Sequence, residues 1–326
     1  MYPPKLRRGS HIRVIAPSRS LAMIGAETRR IADERLGELG LTTSFGEHVL
    51  EADDFTSASI EARVADLHDA FADEHVDGIL TVIGGFNSHQ LLPHLDWQLI
   101  GDRPKIVCGY SDITALQNAI FARTGVVTYS GPHYSTFGMR EHFDDNLRWF
   151  VECLFHDDEM HVTPAATWSD DLAWFLDQDD RQIRDNAGWW PLNEGSGAGT
   201  LLGGNASTFQ LLNGTQWAPP IAGAVLFLED DLEAQPHHFD RWLTAMLQQP
   251  DANNIAGLII GRFQDDSNMT RPLLEQIVGH QPALDNVPIL ANVDFGHTNP
   301  IMTFPIGGRV SVRVAEDRSA LSFTDH

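Results

Sequence analysis

The heptapeptide Cys108-Gly109-Tyr110-Ser111-Asp112-Ile113-Thr114 sets a serine where an apolar run over 105–110 gives way to a helical pattern over 112–123. A serine at a tight strand-to-helix turn stands clear of the sheet. The free amides of the helix N-terminus lie where an oxyanion would form. This is the layout of a nucleophile elbow, although Ile113 stands where Gly-x-Ser-x-Gly has its second glycine. Taken alone, the heptapeptide is better explained by Ser111 or Asp112 acting as an ordinary N-cap.

Three other segments carry comparable chemistry. Ile83-Gly84-Gly85-Phe86-Asn87-Ser88 ends a second apolar run with a glycine pair. Its amides are able to approach a reacting carbonyl closely. The spacing fits neither a dinucleotide fingerprint nor a P-loop, and alone it reads as a turn capped by Asn87 or Ser88. Phe227-Leu228-Glu229-Asp230-Asp231 ends a strand in three acids, one of which can orient a histidine. On its own it is a solvated acidic loop. Asp294-Phe295-Gly296-His297-Thr298-Asn299-Pro300 offers a loop histidine as general base, but the chain has 15 histidines. No His-Glu-x-x-His occurs, and His237 and His238 are adjacent, so on a helix they point apart. Neither a metal nor a cofactor is expected.

The elements that must position these residues alternate. Strands are expected over 12–16, 76–83, 105–110 and 126–130, with helices over 27–39, 59–74 and 112–123. Such alternation argues for an α/β fold with a mostly parallel sheet. Strands over 222–228, 255–261, 287–292, 309–314 and 320–324, with helices over 206–212, 236–248 and 271–278, follow in the second half. Between them, residues 164–196 show no period and hold Trp168, Trp174, Phe175, Trp189 and Trp190. A long irregular segment this aromatic is read as a functional connector. The expected domains are 1–165, a connector over 166–196, and 197–326.

At 42% hydrophobic residues the chain can bury a substantial core. Its 45 acidic and 22 basic residues give a formal charge of -23, which disfavours a nucleic-acid polymer as partner. Cys108 and Cys153 form no Cys-x-x-Cys pair, and no apolar run reaches membrane-spanning length. A cytoplasmic protein without a membrane partner is expected.

Taken in order, these segments resemble the LD-carboxypeptidase family of serine peptidases. The resemblance runs from Val14-Ile15-Ala16-Pro17-Ser18 through Ile83–Ser88, Leu91-Leu92-Pro93-His94-Leu95-Asp96, Gly109–Asp112 and Gly131-Pro132. It continues through Gly203-Gly204-Asn205 and Phe227–Asp230 to Gly296-His297. It implies a Ser111, Glu229, His297 triad, with Gly85 and Asp112 amides binding the oxyanion. It also implies a flavodoxin-like N-terminal α/β domain, a smaller C-terminal β/α domain, a site in the cleft between them, and a homodimer. The family includes muramoyl-tetrapeptide carboxypeptidases and microcin C self-immunity proteins. Gly84-Gly85-Phe86-Asn87-Ser88 and the aromatic connector resemble the second branch. That branch implies a small peptidyl- or aminoacyl-nucleotide substrate, with Gly84, Phe86, Asn87, Trp174, Phe175, Trp189 and Trp190 as binding candidates; Arg262, which follows the strand over 255–261, is a further candidate, for a substrate carboxylate or phosphate. Base–aromatic stacking contributes on the order of 1–3 kcal/mol per base. The alternatives are an LD-carboxypeptidase trimming a muropeptide and a non-catalytic binding protein on the same scaffold.

Overall fold

The computed structural model describes residues 1–171 and 181–326. In chain order the first half runs β1 (His11–Ile15), α1 (Ala26–Glu38), β2 (Thr42–Phe45), α2 (Ile60–Ala72), β3 (Gly78–Thr81), α3 (Trp97–Asp102), β4 (Ile106–Gly109), α4 (Ile113–Thr124) and β5 (Thr128–Ser130). Then come α5 (Tyr134–Phe137), α6 (Asp144–Phe155), β6 (Met160–Val162), the short pair β7 (Thr167–Trp168) and β8 (Arg184–Asp185), and β9 (Trp190–Asn193). The remainder is β10 (Gly195–Asn205), α7 (Ala206–Phe209), β11 (Ala224–Glu229), α8 (Pro236–Leu247), β12 (Gly257–Gly261), α9 (Arg271–Gly279), β13 (Ile289–Val293), β14 (Phe304–Ile306), β15 (Arg309–Val314) and β16 (Ala320–Asp325).

Among the described residues the first sheet is ordered β14-β5-β4-β3-β1-β2. Its five N-terminal strands are parallel. The order 2-1-3-4-5 is that of flavodoxin-like sheets, whose ligand crevice opens beyond the strand C-termini where the winding reverses, between β1 and β3. β3 and β4 are buried along their whole length, so they read as unbroken apolar runs. The second sheet is ordered β6-β16-β15-β10-β11-β12-β13-β9, with β10 to β13 parallel.

The sheets do not divide the sequence in two. β6 lies in the second sheet, while β14, from the C-terminal half, pairs antiparallel with β5 of the first. One continuous apolar cluster joins Val14 and Tyr129 to Phe227 and Phe323. At its centre the Phe227 ring lies 5.0 Å from Phe304 of β14 and 6.0 Å from Phe323 of β16. Truncating such a buried phenylalanine to alanine costs about 3–5 kcal/mol.

Two elements went unread in the sequence. Residues 195–205 form an 11-residue strand, β10, whose first two residues fall in the expected connector. Its glycines hide the strand because they answer to close backbone neighbours. A Cβ at Gly197 would meet the Ala256 carbonyl oxygen at 1.8 Å. In addition, α6 carries a clear apolar face, including Trp149, Phe150, Cys153 and Leu154, that the reading of the sequence passed over.

α4 follows directly on the elbow serine, and polar bonds fix it to the second sheet. The Asn118 amide donates to the Gly203 carbonyl at 2.8 Å and accepts the Gly203 amide at 3.1 Å. Thr114 Oγ1 accepts the Asn205 amide at 3.0 Å. Asn205 sits opposite Glu229 in the β10–β11 ladder. One strand pair therefore sets the nucleophile's helix against the carboxylate.

Candidate active site

Ser111 occupies the turn between β4 and α4 with φ of 60°, a left-handed conformation unusual for a residue with a Cβ. The strained turn lifts its side chain toward the second sheet. Ser111 Oγ lies 2.9 Å from His297 Nε2, within hydrogen-bond distance, and His297 Nδ1 donates to Glu229 Oε2 at 2.8 Å. Glu229 ends β11, and His297 lies in the loop after β13. Both are buried, at 2% and 5% exposure, so their interaction is little screened by water. Gly296 makes the approach possible. Its φ is 110°, and a Cβ there would lie 2.6 Å from Glu229 Oε2.

The glycine pair closes on the serine from the other side. A Cβ at Gly84 would stand 2.9 Å from Ser111 Cβ. The amides of Gly85 and Asp112 donate to no other group among the described residues, which leaves them free to meet an oxyanion. Asp112 makes no side-chain cap on α4, contrary to its simplest reading from sequence. Its carboxylate reaches across to accept the amides of Asn87 at 3.0 Å and Ser88 at 2.9 Å, and Ser88 Oγ donates to the Asp112 carbonyl at 2.6 Å. The elbow and the glycine loop are thus one hydrogen-bonded unit.

Ser111 and His297 line a cleft of about 480 Å³, together with Gly84, Gly85 and Phe86 and with Asp231, Leu232 and Glu233. Burial opposes the His297 cation, but the charge and hydrogen bond of Glu229, backed by Asp231 and Asp230, prevail and raise its pKa to about 9. Asp230 is pushed up to about 7 by burial and then by Glu229 and Asp231. It anchors the start of α7 by accepting the Ser207 amide at 2.9 Å and the Asn205 side chain at 3.1 Å.

Several binding candidates lie elsewhere. Asn87 is buried and faces the fold. Its Oδ1 accepts from Ser18 Oγ and Arg63, and its Nδ2 donates to Ser57 Oγ at 2.9 Å. Arg262 is 3% exposed and pairs with Asp294 at 2.8 Å, with its guanidinium over the Trp168 ring. Trp189 borders a separate groove with Pro191 and Leu321, while Trp190 lies in β9 opposite Ala291. Neither tryptophan lines the cleft. Trp174 and Phe175 fall outside the described residues. The cleft brings in residues that reading the sequence did not nominate: Arg19, Tyr110, His133, Asp231, Glu233 and Gln264. Their only sequence signal was proximity to short segments already singled out, as with Arg19 after Ser18 and His133 after Gly131-Pro132.

Residues 12–131 match the N-terminal domain of LD-carboxypeptidases, and residues 198–312 match the C-terminal domain. The chain belongs to this family. It is a serine-type carboxypeptidase. An MccF-like protein from Bacillus anthracis superposes with a TM-score of 0.98, at 44% identity over 100% of both chains. MccF, the microcin C7 self-immunity protein of Escherichia coli, solved with glutamyl sulfamoyl guanosine, superposes at 0.90, with 25% identity over 99% of this chain and 98% of that one. A murein tetrapeptide carboxypeptidase of Pseudomonas aeruginosa is 26% identical over 91% of each sequence.

Proposed function

We propose that this carboxypeptidase cleaves the amide bond between an acyl group and a nucleotide-like leaving group, as in a peptidyl- or aminoacyl-nucleotide, using Ser111, Glu229 and His297. The observation that carries the mechanism is the unbroken chain from Ser111 Oγ through the His297 ring to Glu229, at 2.9 and 2.8 Å. Neutral His297 takes the Ser111 proton as Oγ attacks the carbonyl carbon. Glu229 holds the ring in the tautomer with Nε2 free and stabilises the resulting cation. The Gly85 and Asp112 amides bind the oxyanion of the tetrahedral intermediate. His297 then protonates the departing nitrogen, and water, deprotonated by the same ring, releases the acyl group from Ser111.

The nucleotide reading is supported by the likeness to MccF, solved with a glutamyl sulfamoyl nucleoside. The muropeptide reading is kept because a murein tetrapeptide carboxypeptidase is also a relative, and because neither Trp189 nor Trp190 faces the cleft to stack a base. Incubating the purified chain with glutamyl sulfamoyl adenosine and, separately, with a muramoyl tetrapeptide separates the two by mass spectrometry. Release of glutamate from the first supports the proposal. Release of D-alanine from the tetrapeptide alone overturns it in favour of the second.

A further inference from the structure

Arg19 is the one arginine or lysine among the described residues that line the cleft. It follows β1, whereas the glycine pair follows β3, so the two meet at the crevice where the winding of the sheet reverses. The Arg19 amide donates to the Gly84 carbonyl at 3.4 Å. A Cβ at Gly85 would lie 3.0 Å from Arg19 Cγ, just as one at Gly84 would lie 2.9 Å from Ser111 Cβ. Arg19 is therefore separated from the nucleophile by the width of two glycines.

Its guanidinium is also uncommitted. Among the described residues it makes no hydrogen bond or ion pair, and its Nε is buried without a partner. The Phe86 ring lies 5.5 Å from its central carbon and holds it at the wall by a cation–π contact. The buried arginines, by contrast, are engaged: Arg63 with Asn87 and Gln90, Arg262 with Asp294. An unpartnered arginine in a chain of charge -23, in a cleft whose other charged side chains include Asp231 and Glu233, marks where an anion is accepted.

We propose that Arg19 reads an anionic group on the leaving side of the scissile amide, attached directly to its nitrogen or one carbon beyond. That chemistry is shared by the carboxylate of a C-terminal amino acid and the sulfamoyl or phosphoryl group of a nucleotide. The inference rests on Ser111 being the nucleophile. Arg19 stays protonated throughout, and no bond to it is made or broken.

The test uses two pairs of substrates, each an anionic compound and a neutral counterpart that lacks the anionic group. One pair is the peptide L-Ala-γ-D-Glu-L-Lys-D-Ala and its C-terminal carboxamide. The other is glutamyl sulfamoyl adenosine and the glutamyl amide of aminodeoxyadenosine, which lacks the sulfamoyl group. Arg19→Ala in the full chain is expected to lower kcat/KM roughly 10- to 100-fold on the anionic member and to leave the neutral member within about 2-fold. Arg19→Lys is expected to recover part of the loss. The pair that responds identifies the source of the anion. Equal loss on both members, or no loss, overturns the assignment. Binding of the same compounds to Ser111→Ala, with and without Arg19→Ala, reads the arginine without turnover. A charge preference that depends on Arg19 there upholds it even if the wild-type chain cleaves neither pair, an outcome that would instead sink the proposed reaction. Absence of the preference overturns it.

Discussion

Two buried histidines flank Tyr110 on the wall of the cleft, and they have opposite electrostatic fates. The His133 ring lies 4.3 Å from that of Tyr110, and the His297 ring 5.5 Å. His133 comes from the first sheet, where the partner of its Nδ1 is the Thr81 hydroxyl at 2.7 Å and its Nε2 has none. Burial, and then the proximity of His297, press its pKa down to about 3. His297 comes from the second sheet, where β11 ends in carboxylates, and its pKa rises to about 9. Burial penalises both cations. What separates them is a single row of acids, Glu229-Asp230-Asp231, supplied to one side only. A basic imidazole in this cleft is thus made by the strand behind it and owes little to the cleft itself.

Activity should separate the two most sharply. His297→Ala is expected to lower kcat/KM by about 10⁴-fold or more, as in serine hydrolases that lose the base. His133→Gln should stay within roughly 10-fold, because a neutral ring that titrates far below the working range moves no proton. Comparable losses in both variants would remove the distinction.

The pH profile sharpens it. kcat/KM should rise with pH as His297 loses its proton, with a midpoint above the ordinary 6.5 and near 9. Glu229→Gln removes the main support of the cation, so the midpoint should fall by roughly a unit or more, together with a rate loss of about 10²- to 10⁴-fold. His133→Gln should leave the midpoint in place. A midpoint that follows His133 and ignores Glu229 would reverse the assignment.

Stability should show the smallest effect, with opposite signs. Between about 6.5 and 9 the folded state holds a proton on His297 that the unfolded chain has released, so its contribution is full below 6.5 and is lost as pH rises through 9. Between about 6.5 and 3 the unfolded chain takes up a proton that buried His133 refuses, so stability falls as pH drops through that window. Denaturant titrations across pH should therefore show a flatter alkaline side in His297→Gln and a flatter acid side in His133→Gln. Identical changes in both would mean that the two rings share one environment.

What could be read in the sequence follows the range of the interactions. Most of the strands and helices have short-range periodicity, and they appear within a few residues of where they were expected. Ser111, Glu229 and His297 were legible through the ordered resemblance to LD-carboxypeptidases, because each segment alone read as a cap, an acidic loop or a turn. Arg262 shows the limit. A basic residue after a strand reads as a ligand until Asp294, 32 positions on, is seen to neutralise it. Arg19 is the converse, unremarkable in sequence because its meaning is the absence of a partner. Trp189 and Trp190 were marked by composition, which cannot say that one borders a separate groove and the other lies in β9. β10 was hidden because its side chains are replaced by neighbouring backbone.

The crossing of β14 into the first sheet has a consequence for synthesis. A chain emerging from the ribosome completes β5 early, but the edge beside it stays open until residues 304–306 arrive. His297 emerges only just before them. A nascent chain that stops short of residue 297 carries Ser111 without His297, so the base joins the nucleophile only as the first sheet is about to gain its last strand.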